Sequence, residues 1–291
     1  MATITEKRSP LRIYLEMIKF EHSIFALPFA MIGMMWGVHG WPGWRVFLLI
    51  IVAMVSCRSA AMAYNRIADR EIDALNPRTK RRAIPAGLLS LRQVNLFFYA
   101  SCGIFLLASA LLNHLTLVLS PIALFVTLFY SVTKRFTPLC HFVLGLSLGI
   151  APAAAWIAST GSLGLPALYL VFAVMFWTAG FDIIYALQDV DFDEGQRLRS
   201  LPQTIGRIKA LGVSRLCHLL AAVFLVLAGL SFGAGPAYFA GTAFAAALLG
   251  YEQSLVKPDD LSKVNLAFFT LNGFVSIGVF AFALLDRLIS K

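Results

Sequence analysis

The sequence predicts an all-α integral membrane protein, a bundle of nine transmembrane helices with its N-terminus cytoplasmic and its C-terminus outside. Three observations predict it. Of 291 residues, 59% are hydrophobic and only 13% are charged, and mean hydropathy is +0.79. Soluble domains carry about 25% charged residues, so this chain lacks the charge to cover a water-facing surface. Apolar runs close to the roughly 20 residues that a helix needs to cross a bilayer recur along the chain, and basic residues fall in alternate connections between them. A soluble enzyme, a disordered chain, a collagen-like repeat and a disulfide scaffold are excluded. Cys57, Cys102, Cys140 and Cys217 have no C-x-x-C spacing and suggest neither zinc nor an oxidised framework.

The spans are expected near 22–39, 44–64, 93–113, 115–133, 139–160, 164–186, 209–231, 234–252 and 263–285. Most connections are short and hold turn-formers, such as Gly40-Trp41-Pro42-Gly43. The whole chain, 1–291, reads as a single membrane domain. A cytoplasmic amphipathic arm over 1–21 precedes the first span and has no small-residue cleavage pattern, so an uncleaved anchor is expected. Two long charged loops, 65–92 and 187–208, stand apart from the short turns. With an N-terminus inside, 20 of the 24 basic residues fall on the cytoplasmic side. That distribution accounts for the net charge of +9 without nucleic acid as a partner. No obligate protein partner is evident. The expected location is a bacterial or archaeal-type inner (cell) membrane, multi-pass, with the active site on the cytoplasmic side.

Eight of the 15 acidic residues crowd into two places. The first reads Asn65-x-x-x-Asp69-x-x-x-Asp73, with Glu71 between. A spacing of four puts the three side chains on one face of a helix that continues out of the second span. The second reads Asp189-x-x-x-Asp193, with Asp191 and Glu194 nearby and Asp182 two turns earlier. Like charges at i and i+4 destabilise a bare helix, so the clustering asks for a counterion, and a hard divalent cation is the usual one. Each group leads into a tail of Arg, Pro and Gly: Arg81-Arg82-Ala83-Ile84-Pro85-Ala86-Gly87 in one, and Arg197 through Pro202 to Gly206 in the other. The two lie about 120 residues apart, as half-sites facing each other across a bundle. Carboxylates with guanidinium groups suit metal plus phosphate. A single such motif would be read as solvated loop residues; two on one face, each with the same tail, favour a site.

These residues, with Asp182-x-x-Tyr185-Ala186 leading to Asp189 and Tyr130-Ser-x-x-Lys134-Arg135 after the fourth span, resemble the UbiA superfamily of intramembrane prenyltransferases. The resemblance covers nearly the whole chain. It implies transfer of a polyprenyl group from polyprenyl diphosphate to a ring carbon of a hydroxylated aromatic acid, in quinone biosynthesis. It implies Mg²⁺ held by Asn65, Asp69 and Asp73 on one side and by Asp189 and Asp193 on the other. Arg66, Arg70, Arg82, Lys134, Arg135 and Arg199 are the candidates to hold the diphosphate. Asp69 and Asp189 are expected to be essential for catalysis. Asp182 joins them as an ionisable group within an apolar helix end, able to accept the acceptor's proton or, alternatively, to pair with Arg58. Lys19, His22 and Tyr185 are the candidates at the acceptor. Tyr64, Tyr130, Tyr185 and Trp156 can line the chamber, and each also has an ordinary packing explanation. Typical proteobacterial 4-hydroxybenzoate enzymes carry Arg-x-Asp-Lys-Pro near the first span and Asn-Asp where this chain has Asn65-Arg66. Both 4-hydroxybenzoate and dihydroxynaphthoate-type acids therefore fit as acceptors, the former being the first choice. A secondary transporter is the rival from another class. Its coupling residues usually lie near the midplane, whereas the acids here concentrate at one face.

Overall fold

The computed structural model describes residues 9–21 and 25–289, and all regular structure among them is helical. A short interfacial helix α1 (Pro10–Met17) is capped by Ser9, whose side chain accepts from the Arg12 N–H. The bundle follows: α2 (Leu27–Gly37), α3 (Trp44–Ala68), α4 (Arg70–Leu75), α5 (Leu91–Leu112), α6 (His114–Thr133), α7 (Cys140–Thr160) and α8 (Leu165–Ala186). Short α9 (Val190–Gly195) and α10 (Leu201–Ile205) precede α11 (Arg207–Phe232), α12 (Pro236–Leu255) and α13 (Asn272–Ile289), the last entered through a π-helical turn at Leu266–Leu271.

Helices stand at all nine expected positions, but they are unequal. Among the described residues, seven are long and apolar enough to cross a membrane. α12 has 20 residues yet ends on the polar run Glu252-Gln253-Ser254 and is not among the seven. The first expected span, 22–39, contains a helix of only 11 residues. Pro28 stands in its first turn, and at about 1.5 Å per residue it covers about half of a hydrocarbon core.

α8 is the spine of the bundle. It packs between α7 and α11, while α3 pairs with α5 and α6, and α2 lies against α7 and α13. The turn at 161–164 makes α7 and α8 an antiparallel hairpin, so residues equally far from that turn lie side by side. Small residues set the approach at this seam: Gly149 faces the Val171 carbonyl and Gly145 the Met175 carbonyl, the close backbone contact typical of helices that pack in lipid. Leu96, Leu107, Phe125 and Leu219 are exposed on the outer surface, as expected where hydrocarbon is the solvent. Trp41 and Trp44 stand exposed at the α2–α3 turn, at the end remote from the charged loops, where an interfacial aromatic belt belongs.

The seam at Gly145 predicts opposite effects of one substitution at two places. At Gly145 an added Cβ meets the Met175 carbonyl, whereas at Gly103, on the exposed side of α5, nothing lies within 4 Å. Gly145→Ala is expected to cost about 1–3 kcal/mol by overpacking. Gly103→Ala is expected to gain roughly 0.5–1 kcal/mol by stiffening the helix. Thermal midpoints in one detergent decide it: shifts of the same sign would contradict the packing.

Candidate active site

α3 and α8 carry the two acidic motifs to the same end of the bundle. The α3 ladder continues through its own end: the Asp69 N–H donates to the Asn65 carbonyl at 2.9 Å and the Asp73 N–H to the Asp69 carbonyl at 2.7 Å. The helix axis breaks at Asp69, yet the spacing of four holds, and all three side chains line one cavity of about 860 Å³. From the other side α8 tightens into a 3₁₀ turn at Leu187–Asp189 before α9. Asp182, Asp189 and Asp193 line the same cavity.

Four of these carboxylates hold a guanidinium or ammonium group. Arg82 Nη1 donates to both oxygens of Asp73, at 2.7 and 2.8 Å. Arg78 crosses from the first loop to the second motif and grips Asp189 with two bonds, Nη2 to Oδ2 at 2.7 Å and Nε to Oδ1 at 3.2 Å. Its Nη1 donates to the Tyr185 hydroxyl at 3.1 Å. Arg135 reaches Asp69 at 3.3 Å, where Asn65 Nδ2 also donates at 2.9 Å. Lys134 Nζ lies 2.7 Å from Asp193 Oδ1 without hydrogen-bond alignment, while Ser200 Oγ donates to Oδ2 at 3.0 Å. Burial, and then the neighbouring Asp73, push the Asp69 carboxyl above its ordinary range in spite of Arg135, so a further cation beside it would be welcome.

The donor set fits Mg²⁺ of a particular kind. Among the described residues no three His, Cys, Asp or Glu side chains gather closely enough to hold a metal alone. Mg²⁺ is usually held by one or two carboxylates and completes its shell with water and substrate phosphates. Each half of this cavity supplies two aspartates, and Asn65 adds an amide oxygen; all are hard oxygen donors. Asp193 is buried, with Lys134 beside its Oδ1. The arrangement suits ions that arrive with a diphosphate rather than a permanently resident metal.

Most expected site residues come together here. Lys19, Arg66, Arg82, Lys134, Arg135 and Tyr185 all line the cavity. Two do not. Arg70 begins α4 on its outer face and bonds Glu71 at 2.7 Å and the Ile67 carbonyl. Arg199 spends its side chain on the Phe136 carbonyl at 3.0 Å and its N–H on the Lys134 carbonyl at 2.7 Å. It braces the Lys134 turn from outside the cavity lining. Arg66 is buried, donating to Asn65 Oδ1 and the Met17 carbonyl, and so also ties the N-terminal arm to the motif. His22 lies outside the described residues. Of the aromatics, Tyr130 and Tyr185 line the cavity, Tyr64 packs on Phe98, and Trp156 belongs to the hydrophobic core.

Three residues were not given these roles from sequence. Arg78 is the strongest partner of the second motif, although it sits in the first loop. His141 Nδ1 lies 2.7 Å from Asp182 Oδ2, so His141 and not Arg58 is the partner of Asp182. The hairpin register of α7 and α8 was the available signal, because both residues lie nearly the same distance from the 161–164 turn. Arg58, within α3, donates to the Lys19 carbonyl at 3.4 Å, and its buried Nε has no hydrogen-bond partner among the described residues. It borders both the polar cavity and a second one.

That second cavity, of about 380 Å³, runs between α3, α6 and α7. It meets the first at Arg58, Asn65 and Tyr130 and extends past Ala154 to Leu112 and Ala158 near the opposite end. Its walls are almost wholly apolar.

Comparison with known proteins gives this geometry a family. The model of the UbiA prenyltransferase family matches residues 26–275. A 4-hydroxybenzoate octaprenyltransferase of Nitrosospira multiformis is 32% identical over 262 residues, which is 88% of this chain and 89% of that protein. Among solved structures, the apo form of a UbiA homolog from Aeropyrum pernix is 35% identical with a TM-score of 0.83, over 91% of this chain and 98% of the other. A UbiA homolog from Archaeoglobus fulgidus bound to DMAPP and Mg²⁺ shares the fold at 18% identity, with a TM-score of 0.73 over 95% of this chain and 99% of that one. With its two carboxylate motifs facing each other across one cavity, the chain belongs to the UbiA prenyltransferase family.

Proposed function

We propose that the protein transfers a polyprenyl group from its diphosphate to a ring carbon of a hydroxylated aromatic acid, 4-hydroxybenzoate first among them, with Mg²⁺. The observation that carries this reading is a cavity of paired aspartates and arginines that opens into an apolar tunnel: one end suits a diphosphate and the other an isoprenoid tail. The Nitrosospira relative, a 4-hydroxybenzoate octaprenyltransferase, supports the donor and the acceptor; the Archaeoglobus homolog with DMAPP and Mg²⁺ supports the metal. The concentration of carboxylates at one end of the bundle favours an enzyme over a transporter. By the positive-inside rule that end faces the cytoplasm, in a nine-helix arrangement that enters the membrane from inside.

Bound Mg²⁺ would be held by Asp69 and Asp73 with Asn65 on one half and by Asp189 and Asp193 on the other, and would neutralise the diphosphate's charge. The chain's own residues do the rest. Arg78, Arg82, Lys134 and Arg135 leave their aspartates for the diphosphate oxygens, so that negative charge developing on the leaving group meets fixed cations. The allylic C–O bond breaks with its electron pair on the diphosphate, and the ring carbon forms the new C–C bond. Asp182 takes the ring proton. Tyr130, Tyr185, Phe25 and Phe268 border the chamber and present ring faces to the developing allylic cation while keeping water out. Arg58, whose Nε has no hydrogen-bond partner among the described residues, receives the acceptor's carboxylate, and Lys19 stands beside it.

Three outcomes test this reading. Purified protein with Mg²⁺, an octaprenyl diphosphate and 4-hydroxybenzoate is expected to form the C-prenylated acid, and Asp69→Ala or Asp189→Ala to lower the rate by at least about a hundredfold. Product without added metal in the presence of chelator would contradict the site. Arg58→Ala is expected to raise the acceptor KM by roughly tenfold or more, the worth of a charge-assisted bond, with little change in the KM for the diphosphate; equal rises in both would place Arg58 elsewhere. Ala154→Phe, in the tunnel wall, is expected to lower kcat/KM about tenfold for an octaprenyl donor through overpacking and to spare a geranyl donor. Equal loss for both donors would mean that the tail runs by another route.

A further inference from the structure

Asp182 differs from the other aspartates of the cavity in what it pairs with. Asp69, Asp73, Asp189 and Asp193 meet Arg or Lys, whereas Asp182 meets the imidazole of His141. The protonation of that imidazole can be worked out from its other nitrogen. Leu201 is the first residue of α10, and its N–H is a helix-start donor with no acceptor inside the helix. It points at His141 Nε2 at 3.3 Å. A backbone N–H can only donate, so Nε2 carries the lone pair and the ring proton resides on Nδ1. Nδ1–H therefore donates to Asp182 Oδ2 at 2.7 Å. The ring is 2% exposed and has no freedom to turn away, while Asp182 keeps 17% exposure toward the cavity it lines.

This bond lies at the end of a chain of contacts. Ser200 caps α10 and donates its hydroxyl to Asp193 Oδ2 at 3.0 Å. Leu201 follows Ser200 directly, and its N–H fixes His141, which fixes Asp182. One rigid run thus joins the carboxylate motif at the diphosphate end to the carboxylate two turns deeper on α8. A neutral N–H donor also leaves Asp182 a better proton acceptor than a guanidinium or ammonium partner would, since an adjacent cation stabilises the ionised carboxylate against protonation.

We infer that His141 is a positioning residue for prenyl transfer, holding Asp182 in the orientation that accepts the ring proton and tying that orientation, through α10, to the loop that grips the diphosphate. This rests on the role given to Asp182 in the proposed reaction. His141 orients Oδ2 and leaves Oδ1 for the substrate, and no proton moves through the imidazole itself.

The test uses the full-length protein in detergent with Mg²⁺, octaprenyl diphosphate and 4-hydroxybenzoate. His141→Leu is expected to lower kcat by about tenfold to a hundredfold, the usual loss when an orienting outer partner is removed. KM for the diphosphate and its slow acceptor-independent release are expected to stay near wild type. His141→Asn, whose amide N–H can stand where Nδ1–H stands, is expected to recover most of the rate. Nitrogen-15 NMR of histidine-labelled wild-type protein, with the His141 signal assigned by its loss in His141→Asn, is expected to show a neutral ring protonated at Nδ1. A ring protonated at Nε2 overturns the inference. So does His141→Leu with an unchanged kcat, or one whose diphosphate KM rises in step while His141→Asn gives no rescue. If wild-type protein prenylates no aromatic acid, the proposed reaction falls, and the NMR tautomer alone then decides whether His141 holds Asp182.

Discussion

Charge balance inside one cavity governs the architecture at the active end. Several aspartates facing a shared space in the headgroup region of a membrane would repel and would be costly to desolvate. Four of them, Asp69, Asp73, Asp189 and Asp193, are therefore met by an arginine or a lysine, and two of these pairings come from across the cavity. Arg78, from the loop after α3, holds Asp189 beyond α8, and Lys134, from the end of α6, holds Asp193. Arg135 reaches back from the same turn to Asp69. These contacts bring the long loop over 65–92 against the α8 side of the bundle.

The same balance makes the cavity an exchange site. In the proposed reaction a diphosphate with divalent cations would change the partners, placing metal on aspartate and arginine and lysine on phosphate. The paired state accounts for why no metal-binding cluster of three stands ready among the described residues. It also bears on Asp69 and Asp193, whose carboxyls are pushed above the ordinary range, chiefly by burial.

How much of this was legible in the sequence follows from how local each feature is. Span positions were readable because hydropathy is a sum over about 20 neighbouring residues, and the helices fall where the sums are high. The length of α2 was not, because Pro28 and the turn after Gly37 set it, and apolar residues beyond those points are as hydrophobic as those within. Asn65, Asp69 and Asp73 were readable from a spacing of four that survives the break at Asp69. Arg70 and Arg199 lie outside the cavity lining because a loop arginine adjacent to a motif can point either way, and the restart of the helix at Arg70 turns it outward. Arg78 and His141 owe their roles to partners 111 and 41 residues away. Only the hairpin register of α7 and α8 could have supplied one of these, and a single sequence offers no comparable register for the other.

The depth of the reaction centre is written into two helices at once. On α8, Asp182 precedes Asp189 by two turns; on α3, Arg58 precedes Asn65 by the same interval. Two turns are about 10 Å of helix. Both helices run toward the charged end, so in the proposed reaction each would carry a metal ligand near its mouth and an acceptor-facing residue at matching depth below. On that proposal a diphosphate held at the upper level would place its allylic carbon between the two levels, and an aromatic acid with its carboxylate on Arg58 would span toward Asp182. The apolar tunnel opens at Arg58 and Tyr130, on the α3 side, and takes the tail away from the ring. In the proposed reaction acceptor and tail therefore meet at Arg58, where the cavity borders the tunnel, and part from there. The bilayer is the natural setting for this geometry, because the tunnel's lining and the tail are both apolar, while the ions and the phosphate meet only at the end where the loops carry charge.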